Sequence, residues 1–380
     1  MTARFGFIST YPPTQCGLAT FTAALLRALT SSGTDYGYVA RLLDAPAAPA
    51  GNEVIADIVV GERSRAAAST EQLNNCDVVI LQHEFGVYGG PDGEDILALL
   101  SALTVPTIVV LHTVLIDPTP HQREVLEAVV AAASAAVTMT RTAHDRLANG
   151  YRVDMDKVSV IAHGAPERPN SSEALTAVFR TGQPTVLTWG LLGPGKGIEW
   201  GIEAMSLLQD LQPTPKYVVA GQTHPKVVQH EGESYRERLN SLIQQHGLLT
   251  SVTLDGHYRP TSSLAELVAS ADVVLLPYDS TDQVTSGVLI EAVAAGKPVV
   301  ATRFPHAVEL LAGGAGLVVA HQDPPAIAQA LRTVLTRPDL AASMSRAASA
   351  AAPQLHWPAV ADQYRQLAAR LVADAAVVAA

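Results

Sequence analysis

The sequence predicts two doubly wound, Rossmann-like α/β domains facing a central cleft. Three observations predict it. Short runs rich in Val and Ile alternate with helical patterns through the 380 residues, as strands buried on both faces of a parallel sheet do. The runs fall into two series, separated at residues 165–184 by a stretch rich in Pro, Ser and Thr that reads as an interdomain linker. Each half has the size of one such domain, and a hydrophobic content of 48% is ample for two cores.

The first series of strands is expected at residues 5–9, 36–40, 77–82, 107–111, 135–139 and 158–161. The second is expected at 185–189, 217–220, 252–254, 273–277, 298–301 and 317–319. Apolar spacing at three and four residues marks helices between them, among others at 17–29, 122–133, 198–208, 235–245 and 289–295. From Trp357 the chain is again helical, and the first part of that segment is amphipathic. The expected organisation is an N-terminal domain at 1–170, a C-terminal domain at 171–355 and a terminal helix at 356–380.

Composition removes several function classes. A net charge of −11 and no basic stripe exclude a general nucleic-acid binder. Two cysteines, Cys16 and Cys76, are too few and too scattered for a disulfide scaffold or a zinc site. The N-terminus lacks the layout of a signal peptide. The longest uncharged apolar run, at residues 128–140, is too short to span a membrane. A soluble cytoplasmic protein is expected. Only five of the 25 basic residues are lysines, so a lysine in a glycine-rich loop is not a product of abundance.

In open α/β sheets ligands sit beyond the C-terminal ends of the strands, so the loops there carry the chemistry. The stretch GLLGPGKGIEWGIEA, residues 190–204, follows a strand and opens a helix. Bare backbone, one lysine (Lys196) and a helix start make an anion site, most often for phosphate. Residues 190–196 also match most of a nucleotide-hydrolysing P-loop, but Gly197 stands where magnesium needs Ser or Thr. After the strand ending at Pro277, Thr285-Ser286-Gly287 opens another helix, and Ser286 and Gly287 are expected to offer free backbone N–H groups. Glu291, one turn further, suits a vicinal diol such as ribose; its bland reading is an acid placed by the helix dipole. In the first half, Gly17 precedes a helix and lets a ligand approach its N-terminus. Glu84, His112 and His163 each follow or end a strand and suggest one wall of a cleft. His83 and His121 read as incidental, and the acids Asp92, Glu94 and Asp95 as the first turn of a helix rather than a metal site.

Taken in order, these residues resemble the retaining glycosyltransferases of family 4, which have the GT-B architecture. The resemblance spans essentially the whole chain: Cys16-Gly17, His112, His163-Gly164, Gly190 to Lys196-Gly197, Ser286-Gly287 with Glu291, and the helix from Trp357. Segments 9–21, 82–90, 190–199, 223–225 and 283–289 are similar to a mannosyltransferase-like branch. The terminal helix is then expected to cross back onto the N-terminal domain. Two positions depart from the pattern. Leu191 stands where the family commonly has an arginine paired with the lysine. Gln283 stands where a Glu commonly lies eight residues before the second Glu. Gln keeps a carbonyl acceptor and adds donors, so sugar contact persists without a negative charge.

The resemblance implies a nucleotide-sugar donor, GDP-mannose favoured and a UDP-sugar the alternative, and no metal or cofactor. Lys196 and the Ser286-Gly287 helix start would stabilise the leaving diphosphate. Glu291 would bind the ribose, and His112 and Gln283 would contact the donor sugar. Gly17, His163, Gly190 and Thr285 would complete the donor site. A carbohydrate or other hydroxyl acceptor would lie near Glu84, Gly89 and Gly90. A nucleotide-sugar epimerase, a sugar phosphorylase and a non-catalytic nucleotide-sugar sensor are the alternatives.

Overall fold

The chain divides into two compact units, one made of Met1–Gly164 with Trp357–Ala380 and the other of Ala165–His356. A computed structural model describes residues 2–48, 51–62, 69–167 and 182–379, so most of the expected linker, 168–181, lies outside the described residues.

In the first unit β1 (Arg4–Ser9), β2 (Tyr36–Leu43), β3 (Val54–Val59), β4 (Val78–His83), β5 (Thr107–Leu111), β6 (Ala135–Thr138) and β7 (Val158–Val160) form one sheet. Its order is β3-β2-β1-β4-β5-β6-β7, and every neighbouring pair is parallel. Helices α1 (Gly17–Leu29), α2 (Ile96–Ala102), α3 (Pro120–Ala132) and α4 (Arg141–Gly150) pack around it. β4 and β5 are buried at every residue, which is why Val78–Leu81 and Ile108–Leu111 are apolar runs rather than alternations, with polar Gln82, His83 and Thr107 at the strand ends.

The second unit repeats the plan. Strands β8 (Thr185–Trp189), β9 (Lys216–Ala220), β10 (Val252–Asp255), β11 (Val273–Leu276), β12 (Val299–Thr302) and β13 (Gly316–Val319) stand in the order β10-β9-β8-β11-β12-β13, again all parallel. Its helices are α5 (Ile198–Ser206), α6 (Pro225–Glu231), α7 (Ser234–Gln245), α8 (Thr261–Ser270), α9 (Gly287–Ala294), α10 (Pro305–Leu311), α11 (Pro324–Thr336) and α12 (Pro338–Leu355). Among the described residues no helix is long and apolar enough to cross a membrane.

The last helix, α13 (Trp357–Ala379), belongs to the first unit and packs on α1. Val360, Tyr364 and Leu367 lie on one face and join a core with Phe21, Leu25 and Leu29. Full burial of one such side chain contributes roughly 1.5–3 kcal/mol. The Arg365–Asp35 pair at 3.6 Å, 28% and 11% exposed, contributes about 1 kcal/mol at most, so apolar burial docks this helix. Trp357 at its start lies against Gly164, where a Cβ would come 2.1 Å from the indole.

Two differences from the sequence reading have physical causes. β2 runs on to Leu43 through the fully buried Arg41, and β3 is an additional edge strand. Arg41 Nε and Nη2 donate to Asp57 Oδ1 and Oδ2 at 2.9 and 3.0 Å, and Nη2 also donates to Ala48 O at 3.0 Å. Each charge taken alone looks like a strand end; together they neutralise each other across the ladder. The acids at 92–95 are not the first turn of α2. Pro91–Gly93 form a separate 3-10 turn, and Asp95 sits just before the helix. His121 joins this turn to α3, with Nδ1 2.9 Å from Asp92 and Nε2 3.3 Å from Glu94. Among the described residues no group of three or more His, Cys, Asp or Glu is arranged to hold a metal ion.

Two measurements check this packing. Gly164→Ala forces a methyl into the Trp357 ring and should lower stability by about 1–3 kcal/mol in denaturant unfolding; an unchanged midpoint would contradict the docking of α13. The hydrogen bond to Asp92 comes first among the effects that raise the His121 pKa above its ordinary 6.5. Its contribution to stability is therefore complete below the unfolded-state value and lost as pH rises through the folded one. An NMR titration should place the His121 midpoint above 6.5, and a midpoint at or below it would show that the clasp does not form.

Candidate functional site

The second sheet reverses its direction of growth between β8 and β11, so the loops after these two strands emerge side by side. Open α/β sheets bind ligands at such a switch point. The loop after β8 begins at Gly190, whose φ is +118°, and a Cβ there would come 3.6 Å from Val288 at the start of α9. The glycine loop thus faces that helix N-terminus. At its far end Gly197 has φ +61°, and a Cβ would come 1.9 Å from Pro277 O, so only glycine lets the two loops close. Asp279 N–H then donates to Gly195 O at 3.0 Å, and Trp200 Nε1–H to Asp279 Oδ1 at 2.7 Å.

This closure places Lys196 Nζ 4.6 Å from the centroid of the Tyr278 ring. Such a contact is worth about 0.5–1 kcal/mol at an exposed site. It steadies the lysine without neutralising it, and among the described residues no carboxylate pairs with Lys196. Tyr278 in turn stacks on Phe304, with ring centroids 5.2 Å apart.

Ser286 caps α9, its Oγ accepting the Leu289 N–H at 3.3 Å. One expectation is corrected here. The Ser286 N–H is not free, because it donates to His306 Nδ1 at 2.8 Å. The groups without a partner among the described residues are the N–H of Gly287 and of Val288, one residue further into the helix. Both residues are partly exposed, and the positive end of the helix dipole lies there. The Thr285 hydroxyl beside them is buried with no partner among the described residues. Gln283 braces its own loop: Nε2–H donates to Thr285 O at 2.9 Å, and its backbone N–H to Ser280 Oγ at 3.1 Å.

Glu291 is aimed by Trp189, the last residue of β8, whose Nε1–H donates to Oε2 at 3.0 Å. Burial raises the Glu291 pKa, and the indole N–H opposes that by favouring the charged form. The other oxygen, Oε1, has no partner among the described residues.

The first sheet has its own switch point between β1 and β4. Cys16 caps α1, with Sγ accepting the Ala19 N–H at 3.4 Å. At Gly17 an added Cβ would meet nothing within 4 Å, so the fold itself does not demand glycine there. His112 and His163 gather around Phe21, with ring centroids 5.1 and 5.0 Å away, and Trp357 completes the cluster at 5.2 Å. Burial pushes His112 down to about 3 and His163 to about 4, so both are neutral near pH 7. His112 Nε2–H donates to Gln82 Oε1 at 2.7 Å, leaving Nδ1 as an acceptor. His163 Nδ1–H donates to Gly164 O at 2.7 Å, leaving Nε2 as an acceptor.

The other predicted residues of this unit are more engaged. Glu84 Oε2 accepts from Thr113 Oγ1 at 2.6 Å and Oε1 from the Phe85 N–H at 3.1 Å. Gly89 and Gly90 belong to the turn that His121 clasps: a Cβ at Gly89 would come 2.5 Å from Asp95, and Gly90 has φ +78°. His83 is fully buried in β4, and burial lowers its pKa to about 4. Sequence reasoning missed Trp189, Tyr278, Phe304, His306 and Gln82. Position was the signal for Trp189, Tyr278 and Gln82, which lie at or near the ends of strands whose loops carry a predicted residue, whereas Phe304 and His306 follow β12, whose loop carries none.

Residues 176–351 match the family described as glycosyl transferases group 1. The D-inositol 3-phosphate glycosyltransferase of Acidothermus cellulolyticus is 31% identical over 259 residues, 63% of this chain and 54% of that protein. A glycogen synthase of Mycobacterium tuberculosis is 28% identical over 221 residues, 56% of this chain and 48% of that protein. The chain thus spans about half the length of these relatives. The crystal structure of Anabaena Alr3699/HepE in complex with UDP-glucose superposes with a TM-score of 0.73 at 17% identity, covering 97% of this chain and 100% of that one. Sucrose-phosphate synthase from Thermosynechococcus elongatus gives 0.76 at 18% identity, covering 98% and 100%. The chain therefore has two parallel-sheet α/β units matching the GT-B glycosyltransferase structures, and its second half carries the similarity to the group 1 glycosyl transferases.

Proposed function

We propose that the protein transfers a hexosyl group from a nucleoside diphosphate hexose to a hydroxyl of a sugar or polyol, with retention of anomeric configuration. The observation that carries this reading is the pair of N–H groups at Gly287 and Val288, unpartnered among the described residues and facing a glycine loop whose one lysine has no carboxylate partner among them. Uncommitted donors and an unneutralised cation at a switch point suit a diphosphate. The similarity of this half to the group 1 glycosyl transferases supports the same assignment.

The acceptor hydroxyl oxygen attacks the anomeric carbon on the face from which the diphosphate departs. The bond from that carbon to the phosphate oxygen breaks, and the hydroxyl proton passes to the departing phosphate. Charge accumulates on the phosphate, and Lys196 with the Gly287 and Val288 N–H groups stabilises it there. The buried Thr285 hydroxyl supplies one more polar contact. Glu291 Oε1 accepts from the ribose hydroxyls while Trp189 holds Oε2. In the first unit neutral His112 and His163 offer acceptors suited to sugar hydroxyls without bringing a charge; in the second the Gln283 carbonyl oxygen serves the donor sugar. An acceptor role for Glu84, Gly89 and Gly90 rests on the family resemblance alone, since their own turns already use them.

The sequence segments favour GDP-mannose, while one protein of this fold was crystallised with UDP-glucose. These are the two donors to test. A requirement for metal is not part of the proposal, because glycine follows Lys196 where a magnesium-holding hydroxyl would stand.

The test measures release of nucleoside diphosphate from each donor over a panel of sugar, polyol and polyol phosphate acceptors. Lys196→Ala should reduce turnover roughly a hundredfold to a thousandfold, about 2.7–4 kcal/mol of transition-state stabilisation. Its folding stability should change by no more than about 1 kcal/mol, the worth of the Tyr278 contact. Wild-type turnover should survive EDTA. Near-normal turnover in the variant would return Lys196 to the role of a solvated turn residue, and loss of activity in EDTA restored by magnesium would overturn the metal-free mechanism.

A further inference from the structure

Three supports of the candidate phosphate site converge on one short stretch, residues 302–306, from the end of β12 to the start of α10. Thr302 Oγ1 donates to Tyr278 O at 2.6 Å. Phe304 stacks on the Tyr278 ring, which lies under Lys196. His306, 2% exposed, accepts the Ser286 N–H on Nδ1, and its backbone N–H donates to Gln283 O at 3.4 Å. A buried imidazole whose Nδ1 accepts a backbone N–H carries its proton on Nε2. The apolar body of the ring could be matched by leucine; the acceptor could not.

We propose that His306 is a positioning residue: by accepting the Ser286 N–H it holds the start of α9 so that the Gly287 and Val288 N–H groups converge on the diphosphate. This rests on the proposed function. Ser286 lies directly before the helix and has to keep extended backbone, φ −137° and ψ 109°, to cap it. Without His306 its buried N–H would be left unsatisfied, which the chain avoids by turning the peptide toward water. That rotation would shift the cap and spread the donors that follow. His306 touches no substrate, and its imidazole acts on the site through Ser286.

The experiment compares His306→Asn with His306→Leu. Asparagine can place Oδ1 where Nδ1 stands and keeps the acceptor; leucine keeps the bulk and removes it. Two readouts are taken: hydrogen exchange at the Ser286 amide and calorimetric affinity for free UDP and GDP. The leucine variant should exchange its Ser286 amide faster and bind nucleoside diphosphate about tenfold more weakly, the scale of one hydrogen bond. The asparagine variant should lie within about threefold of wild type in affinity and keep the amide protected. In the transfer assay the leucine variant should show an unchanged KM for acceptor. Wild-type affinity and protection in the leucine variant would overturn the inference, as would an asparagine variant no better than leucine. A wild-type protein that binds neither nucleotide would instead overturn the proposed function, and the exchange rates would still report whether His306 holds Ser286.

Discussion

The start of the helix Gly287–Ala294 leaves two backbone N–H groups without a protein partner among the described residues, and the second unit is arranged around them. Every α-helix begins with orphan donors. Here Ser286 Oγ satisfies one at Leu289, and His306 satisfies the N–H of Ser286 itself. Neither provision reaches Gly287 or Val288. A fully buried unpaired donor costs about 1–3 kcal/mol. Both residues are partly exposed, so the cost is smaller here than in a sealed core, and on the proposed reading an anion takes the place of water. Gly190 keeps the space before them open, and Lys196 lies further along the same loop. Tyr278, Phe304 and His306 form the layer behind, which explains why one strand end, that of β12, supports elements from two different loops.

The first unit solves a different problem with burial instead of charge. His112 and His163 stand edge-on to Phe21, and the loss of water keeps both neutral. Edge-to-face ring pairs add about 0.5–1.5 kcal/mol beyond the area they bury. Three such pairs meet at Phe21, and the third partner, Trp357, comes from the last helix. The terminal helix is therefore part of what fixes the histidines, and Gly164 is glycine because the indole occupies the place of its side chain. A residue that reads as half of a functional His-Gly pair is explained by packing.

The parallel strands were legible because burial on both faces writes itself as an apolar run. β3 and the end of β2 were not, since Arg41 and Asp57 cancel only when the strands are already paired. The loops were legible through glycine, lysine and the Thr-Ser-Gly helix start. What could not be read was which donor remains free. Ser286 looks like an open N–H in sequence, and only the distant His306 shows that it is spent. Likewise the helix-dipole reading of Glu291 and the ribose reading differ by a partner 102 residues away, the Trp189 indole. Periodicity carries the scaffold, whereas the chemistry of a donor or acceptor depends on long-range partners that no local pattern encodes.

The central claim is that Gly287 and Val288 hold the phosphates. Amide hydrogen exchange, resolved by residue and taken with and without saturating UDP or GDP, tests it most directly. New protection is expected at Gly287 and Val288 and in the loop from Gly190 to Gly197, with the Ser286 amide protected in both states because His306 already accepts it. Nucleotide binding that leaves the Gly287 and Val288 amides exchanging at their free rate would contradict it.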